Sequence, residues 1–207
     1  MPRTPEASAA VRDATRARIR RAAVLLMAEQ GYQATTLRQV AARAGVAAGL
    51  PSHHFGSKAG LLIDVADGWR DRTRAALAAH REDDPRLTLR LLVRSALLGL
   101  DTSPEEIDEG RAVSALLADP QARDVLRAAG ADVDSADLFQ AMDEALERLG
   151  SPDPEGDRLL LVAGIRGGLV LAAEDPDFPL RRLEDVLLDR IGPRGVDVGP
   201  SGGGDVS

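Results

Sequence analysis

The stretch TLRQVAARAG, running from Thr36 to Gly45, is closed at both ends by its own chemistry. Thr36 followed three residues later by Gln39 is a capping box, in which each residue satisfies a backbone N–H of the first helical turn. Leu37, Val40, Ala41 and Ala44 share one apolar stripe of that helix. The helix runs only to Ala44, because Gly45 supplies the sharp turn that follows. After Val46 comes a second short segment, AAGLPSHH. Short helix, glycine turn, short helix is the helix-turn-helix pattern, whose second helix enters the DNA major groove; an ordinary αα-hairpin has the same spacing.

The flanks extend the pattern. Over residues 12–30, Ile19, Ala22, Ala23, Leu26 and Met27 form a helical stripe, and Arg12, Arg16, Arg18, Arg20 and Arg21 enrich the first half. Gly31 ends this helix, and residues 1–11 read as a flexible arm. Beyond Phe55 and Gly56, Ser57 starts a long helix with Leu61, Leu62, Val65, Ala66 and Trp69 on one face. Its first residue, Lys58, is the only lysine in the chain. A cation at the positive end of a helix dipole is a mismatch of roughly 0.3–1 kcal/mol unless an anion lies nearby. The sequence asks for an anion there.

Composition narrows the classes. Of 207 residues, 44% are hydrophobic but only 2% aromatic, and the dominance of Ala and Leu favours helices over sheets. The absence of cysteine excludes disulfides, thiolate metal sites and cysteine nucleophiles. No apolar leader or membrane-spanning run is present, which points to a cytoplasmic protein. The net charge of −7 divides unevenly: residues 1–80 carry 12 Lys+Arg against 6 Asp+Glu, and the rest carry 14 against 27. A basic head that meets a polyanion and an acidic body that does not would have this split; two solvated surfaces would have it too.

Residues 15–67 resemble the DNA-binding domain of the TetR family of bacterial transcriptional regulators. The resemblance rests on Ala22 and Ala23, Gly31-Tyr32, Thr35-Thr36, Val40-Ala41, Ala44-Gly45-Val46, Gly49, His54-Phe55, Ser57-Lys58 and Leu61 in combination. It implies an all-α protein, with a three-helix helix-turn-helix head joined through a fourth helix to a helical ligand-binding and dimerisation domain. It also implies that Lys58 contacts a DNA phosphate, the anion asked for above, and that His54 contacts another. The full DNA-facing set is then Thr36, Arg38, Ala47, Ala48, Gly49, Leu50, Ser52, His53, His54 and Lys58.

The chain departs from the family at Pro51-Ser52, where a Leu-Tyr pair is usual. Proline at the fourth position of the recognition helix loses one early backbone hydrogen bond and weakens it. The base-facing positions Ala47, Ala48, Gly49 and Leu50 are nearly devoid of hydrogen-bonding side chains. Direct readout is reduced to thymine methyl contacts, backbone approach at Gly49, and His53; DNA shape carries the balance. His53-His54 is not a metal site, because adjacent helical residues diverge and only His80 remains as a further imidazole.

From residue 81 on, prolines behind Ser or Asp mark helix starts, giving helices near 85–100, 104–118, 120–129, 133–149, 156–174 and 179–191. Residues 192–207 are Gly-rich and read as disordered. With no Cys, and no His beyond residue 80, no catalytic set is visible, and the Glu105, Glu106, Asp108 and Glu109 cluster suits a helix's first turns. Gly164, Gly167 and Gly168 form one flat face that another helix can approach closely, whether from within the chain or from a partner. The family dimerises through its last two major helices. The expected dimer set is therefore Leu138, Met142, Leu146, Leu160, Gly164, Arg166, Gly167, Gly168 and Leu171, with Arg166 paired to a carboxylate at the interface and holding a ligand anion as its secondary alternative.

The domains read as arm 1–11, DNA-binding head 12–56, body 57–191 and tail 192–207. The expected protein is a nucleoid-associated homodimeric regulator, of repressor type, on a roughly palindromic double-stranded operator. An unidentified small-molecule effector sets its state; no cofactor, metal or membrane partner is implied. The competing classes are a ligand-independent DNA-architectural protein and an enzyme on the same helical fold.

Overall fold

The computed structural model describes residues 5–80, 84–100, 104–131, 135–175 and 177–191; the tail 192–207 lies outside the described residues. Ten helices and no strand are found among them. The head comprises α1 (Pro5–Gln30), α2 (Leu37–Ala44) and α3 (Leu50–Phe55), and α4 (Lys58–His80) leads into the body. The helix of α1 therefore begins seven residues before Arg12, within the expected arm. The sequence PEASAAV supports it: proline suits a first helical turn and alanine the turns after it.

The body is built from α5 (Pro85–Leu97), α6 (Pro104–Ala118), α7 (Pro120–Ala128), α8 (Ala136–Arg148), α9 (Pro154–Glu174) and α10 (Leu180–Asp189). The Asp-Pro pairs act as the sequence suggests. Asp84, Asp119 and Asp153 accept hydrogen bonds from the backbone N–H of Arg86, Ala122 and Gly156, each with proline opening the helix. α9 accordingly starts at Pro154 rather than near 156.

Two apolar cores lie side by side. One unites Ile19, Ala23 and Met27 of α1 and Val40 of α2 with Leu61 and Leu62 of α4, and continues through Val113 and Leu116 of α6 to Leu126 of α7. The other joins Leu89, Val93 and Leu97 of α5 to Leu146, Leu161, Leu169 and Leu187 from α8, α9 and α10. The head thus has no core of its own: α6 and α7 supply part of it. Trp69 of α4 packs against both cores, and its indole Nε1 donates to the Ser95 carbonyl at 3.1 Å.

Candidate nucleic-acid interface and body cavity

Local chemistry sets the helix-turn-helix angle. The Thr36–Gln39 capping box forms, with the Thr36 hydroxyl accepting from Gln39 N–H at 3.3 Å and Gln39 Oε1 accepting from Thr36 N–H at 2.8 Å. Gly45 sits at φ 62°, left-handed backbone that other residues adopt only under strain. The turn runs through Ala47 to Gly49, and α3 starts at Leu50. Pro51 therefore occupies the helix's first turn, where its missing N–H has no partner to lose. The weakening expected from a fourth-position proline does not arise, and the ring is buried against the head.

Ala47, Ala48, Gly49, Ser52 and His53 are exposed on one side of this turn and helix. Gly49 has an ordinary helical φ of −81°, and a Cβ there would meet nothing within 4 Å. Neither conformation nor internal packing requires a glycine at this position. Thr36 and Arg38 are exposed at the start of α2. Leu50 is half-buried against the head core, which limits what it can offer a base, and His54 is half-buried beside Phe55.

Lys58 is held within the chain itself. Its Nζ donates to the carbonyls of Tyr32 at 2.8 Å, Gln33 at 3.1 Å and Thr35 at 2.9 Å, and lies 4.3 Å from the Tyr32 ring centroid. The three ammonium donors are matched by three acceptors. Electronegative partners of the kind the sequence asked for are supplied within the chain by a ring of carbonyl oxygens in the α1–α2 turn. Burial lowers the Lys58 pKa from the ordinary lysine value, while the carbonyl dipoles and the aromatic face favour its charge.

The arginines of α1 are similarly committed. Arg16 and Arg20 reach Asp64 on α4, Arg18 donates to the carbonyls of Ala44 at 2.5 Å and Gly45 at 3.1 Å, and Arg21 lies 3.7 Å from Glu109 on α6. Much of the positive charge of the head therefore staples α1 to its neighbours. Arg43 pairs with Glu29 at 2.5 and 2.7 Å.

The body holds a cavity of about 500 Å³ bounded by α4 to α9. Its wall is mainly apolar, with Leu92, Leu117, Leu138, Met142, Ile165 and Leu169 among its members. Its polar groups include Arg70, Arg123, Arg127 and Arg166 and one carboxylate, Asp124. Sequence reasoning located no effector residues, because they come from six helices and share no motif. Trp69 of α4 stands in the cavity wall.

The expected dimer set divides. Leu138, Met142 and Leu146 are buried within the body, so an intact protomer cannot present them to a partner. A side chain at Gly164 would collide with Leu187, and one at Gly168 with Leu183; both glycines let α10 pack on α9. These five assignments are corrected: the side chains fill the protomer, and the glycines serve intrachain packing. Arg166 is exposed beside the cavity, with no carboxylate partner among the described residues. Leu160, Gly167 and Leu171 remain exposed on α9, joined by Leu159 and Val170 and by Val186 of α10, which the sequence reading missed.

Among the described residues no cluster of His, Asp and Glu has metal-ligating geometry, and no helix is long and apolar enough to cross a membrane.

Residues 19–65 match the family model described as bacterial regulatory proteins, tetR family. The HTH-type transcriptional regulator BetI of Paraburkholderia phymatum is 38% identical over 88 residues, which is 40% of this chain and 44% of that protein. The chain thus spans less than half the length of the curated relatives it matches. A transcriptional regulator from Rhodococcus sp. Rha1 superposes with a TM-score of 0.58 at 26% identity, covering 85% of this chain and 95% of that one. A regulator from Saccharomonospora viridis, solved in complex with choline, superposes with a TM-score of 0.61 at 20% identity, covering 88% of this chain and all of that one; this is a likeness of fold. Residues 19–65 of the head thus match the tetR family of bacterial regulatory proteins, and over the remainder of the chain the likeness to solved regulators is one of fold.

Proposed function

We propose that the protein is an effector-controlled repressor that binds a roughly palindromic operator as a homodimer. The observation that carries the reading is α4, a single 23-residue helix. One end is tied by Lys58 to the turn before the helix-turn-helix, and further along Ala66, Trp69, Arg70 and Thr73 line the body cavity. A molecule that fits the cavity in only one tilt of α4 would bind the DNA-competent and incompetent states unequally, which is the requirement for a switch.

On DNA, the exposed face of Ala47, Ala48, Gly49, Ser52 and His53 would enter the major groove. Unobstructed space at Gly49 supports close backbone approach, and Arg38, Thr36 and His54 supply flanking contacts. The exposed apolar stripe of Leu159, Leu160, Val170, Leu171 and Val186 supports dimerisation across α9 and α10, with Gly167 between. The choline held by the Saccharomonospora viridis regulator supports a small organic effector, without fixing its charge.

The test is footprinting of the purified protein on DNA upstream of its own and neighbouring genes, with sedimentation on the same sample. Protection of two half-sites about one helical turn apart by a dimer is the expected result. A monomer in solution that protects no discrete site would overturn the proposal.

A further inference from the structure

We infer that the body cavity takes an uncharged, mainly aliphatic molecule, whose tail is held by the apolar wall and whose affinity is set by tail length. The inference rests on the effector reading above and deepens it.

The neutral polar groups where α4, α5 and α6 wall the cavity are already spent on one another. The Trp69 indole N–H donates to the Ser95 carbonyl at 3.1 Å, and the Ser114 hydroxyl donates to the same oxygen at 3.4 Å. The Thr73 hydroxyl donates to the Trp69 carbonyl at 3.0 Å and lies 2.5 Å from the Ser95 hydroxyl. Trp69, Thr73 and Ser114 each carry one side-chain proton, so none of the three has a donor left for a ligand.

The charged groups are engaged or solvated. Of the four arginines in the wall Arg70 alone is buried, and Asp67, one turn back on α4, pairs with it. Arg127 and Asp124 are bonded to each other at 2.7 Å and both stand largely exposed, while Arg123 is engaged within the chain. Arg166 has no ion-pair partner among the described residues, but it is exposed, so water meets its charge without a ligand. An anionic or cationic head carried inward would give up its hydration and find no unengaged counter-charge in the buried part of the wall. Hydrocarbon is what that part offers: Leu92, Leu126, Leu138, Met142 and Leu169 are buried there, from α5, α7, α8 and α9. A volume of about 500 Å³ suits one small aliphatic molecule.

The experiment titrates the full chain at neutral pH with straight-chain alcohols of roughly six to twelve carbons, a range suited to such a volume. Carboxylates and trimethylammonium ions with the same tails serve as comparators, and the readouts are Trp69 fluorescence and calorimetry. Affinity should rise about fourfold for each added methylene until the cavity is full. Each alcohol should bind at least about tenfold more tightly than its charged counterparts. Ala96→Leu, which takes up part of the space, should shorten the best tail, and Met142→Ala, which enlarges the space, should lengthen it. A mere loss of stability would not shift the best length in opposite directions. Equal or tighter binding of either charged series, affinity independent of tail length, a best length that neither variant moves, or no binding at any length overturns the inference. Gel shifts on the footprinted DNA separate the two readings. Release by a charged molecule that competes with the alcohols sinks the uncharged-ligand inference and leaves the regulator standing. A chain that follows the alcohol series but binds no DNA does the reverse.

Discussion

Replacing Lys58 by methionine removes the ammonium while keeping most of the stem, and the structure states what is lost. Three carbonyl oxygens, of Tyr32, Gln33 and Thr35, lose a charged donor, and the Tyr32 ring loses its cation. Hydrogen bonds to charged groups contribute about 1.5–3 kcal/mol each in favourable sites, but Lys58 is only half-buried, so water recovers part of this. A net destabilisation of about 2–4 kcal/mol is expected for the set. For a chain of this size that is a fall in Tm of about 5–15 °C, measured at fixed protein concentration. Urea unfolding gives the free energy, and gel shifts over a salt series give the number of phosphate contacts. The staple account expects lower stability with an unchanged salt slope among molecules that remain folded. A variant as stable as the parent, whose salt slope falls by about one unit, would refute it and return Lys58 to the phosphate backbone.

Arg38→Ala should leave stability within about 0.5 kcal/mol and reduce the salt slope by about one, whereas Arg18→Ala should lower stability by about 1–2 kcal/mol with the slope unchanged; urea melts and salt titrations on both variants check this. Gly168→Leu should destabilise the protomer by about 1–3 kcal/mol through collision with Leu183, while Gly167→Glu, at an open surface, should weaken the dimer alone; sedimentation and unfolding curves separate the two. Asp137 is held below the usual carboxylate pKa mainly by its hydrogen bond from Arg74, 2.6 Å away. A depressed folded pKa means stabilisation that is present above the unfolded carboxylate pKa and lost as pH falls through the folded one. With both side chains about half exposed, Asp137→Asn should cost no more than about 1 kcal/mol near neutrality and converge on the parent in acid, as urea melts across that range would show.

What could be read in the chain was whatever depends on near neighbours. The Thr36–Gln39 box, the Gly45 turn and the Asp-Pro helix starts are local devices, and each appears where its spacing places it. Lys58 shows the limit. Its position at a helix start requires electronegative partners, but carbonyls more than twenty residues away are brought there only by tertiary folding. The arginines of α1 mislead for the same reason, since their carboxylate and carbonyl partners lie on α2, α4 and α6. Helical spacing put Gly164 and Gly168 on one face correctly, but spacing has no information about which helix covers that face. The cavity was invisible because it is a space between six helices, and no local pattern encodes a space.

The core that runs from Ile19 through Leu61 to Val113 and Leu126 bears on how such a protein can be taken apart and recombined. A cut after Gly56 looks like a seam between a reading head and a sensing body, yet it would strip α4, α6 and α7 from the apolar surface of α1. A head grafted onto a foreign body would carry that exposed surface with it unless the new body supplied equivalents of Leu62, Val113 and Leu116. The smallest transplantable piece is therefore discontinuous in sequence, head plus α4 plus α6 and α7, and includes part of the cavity wall. On the proposed function, operator choice and effector choice would be inherited together, so a chimaera must be spliced through matched side chains rather than at a linker.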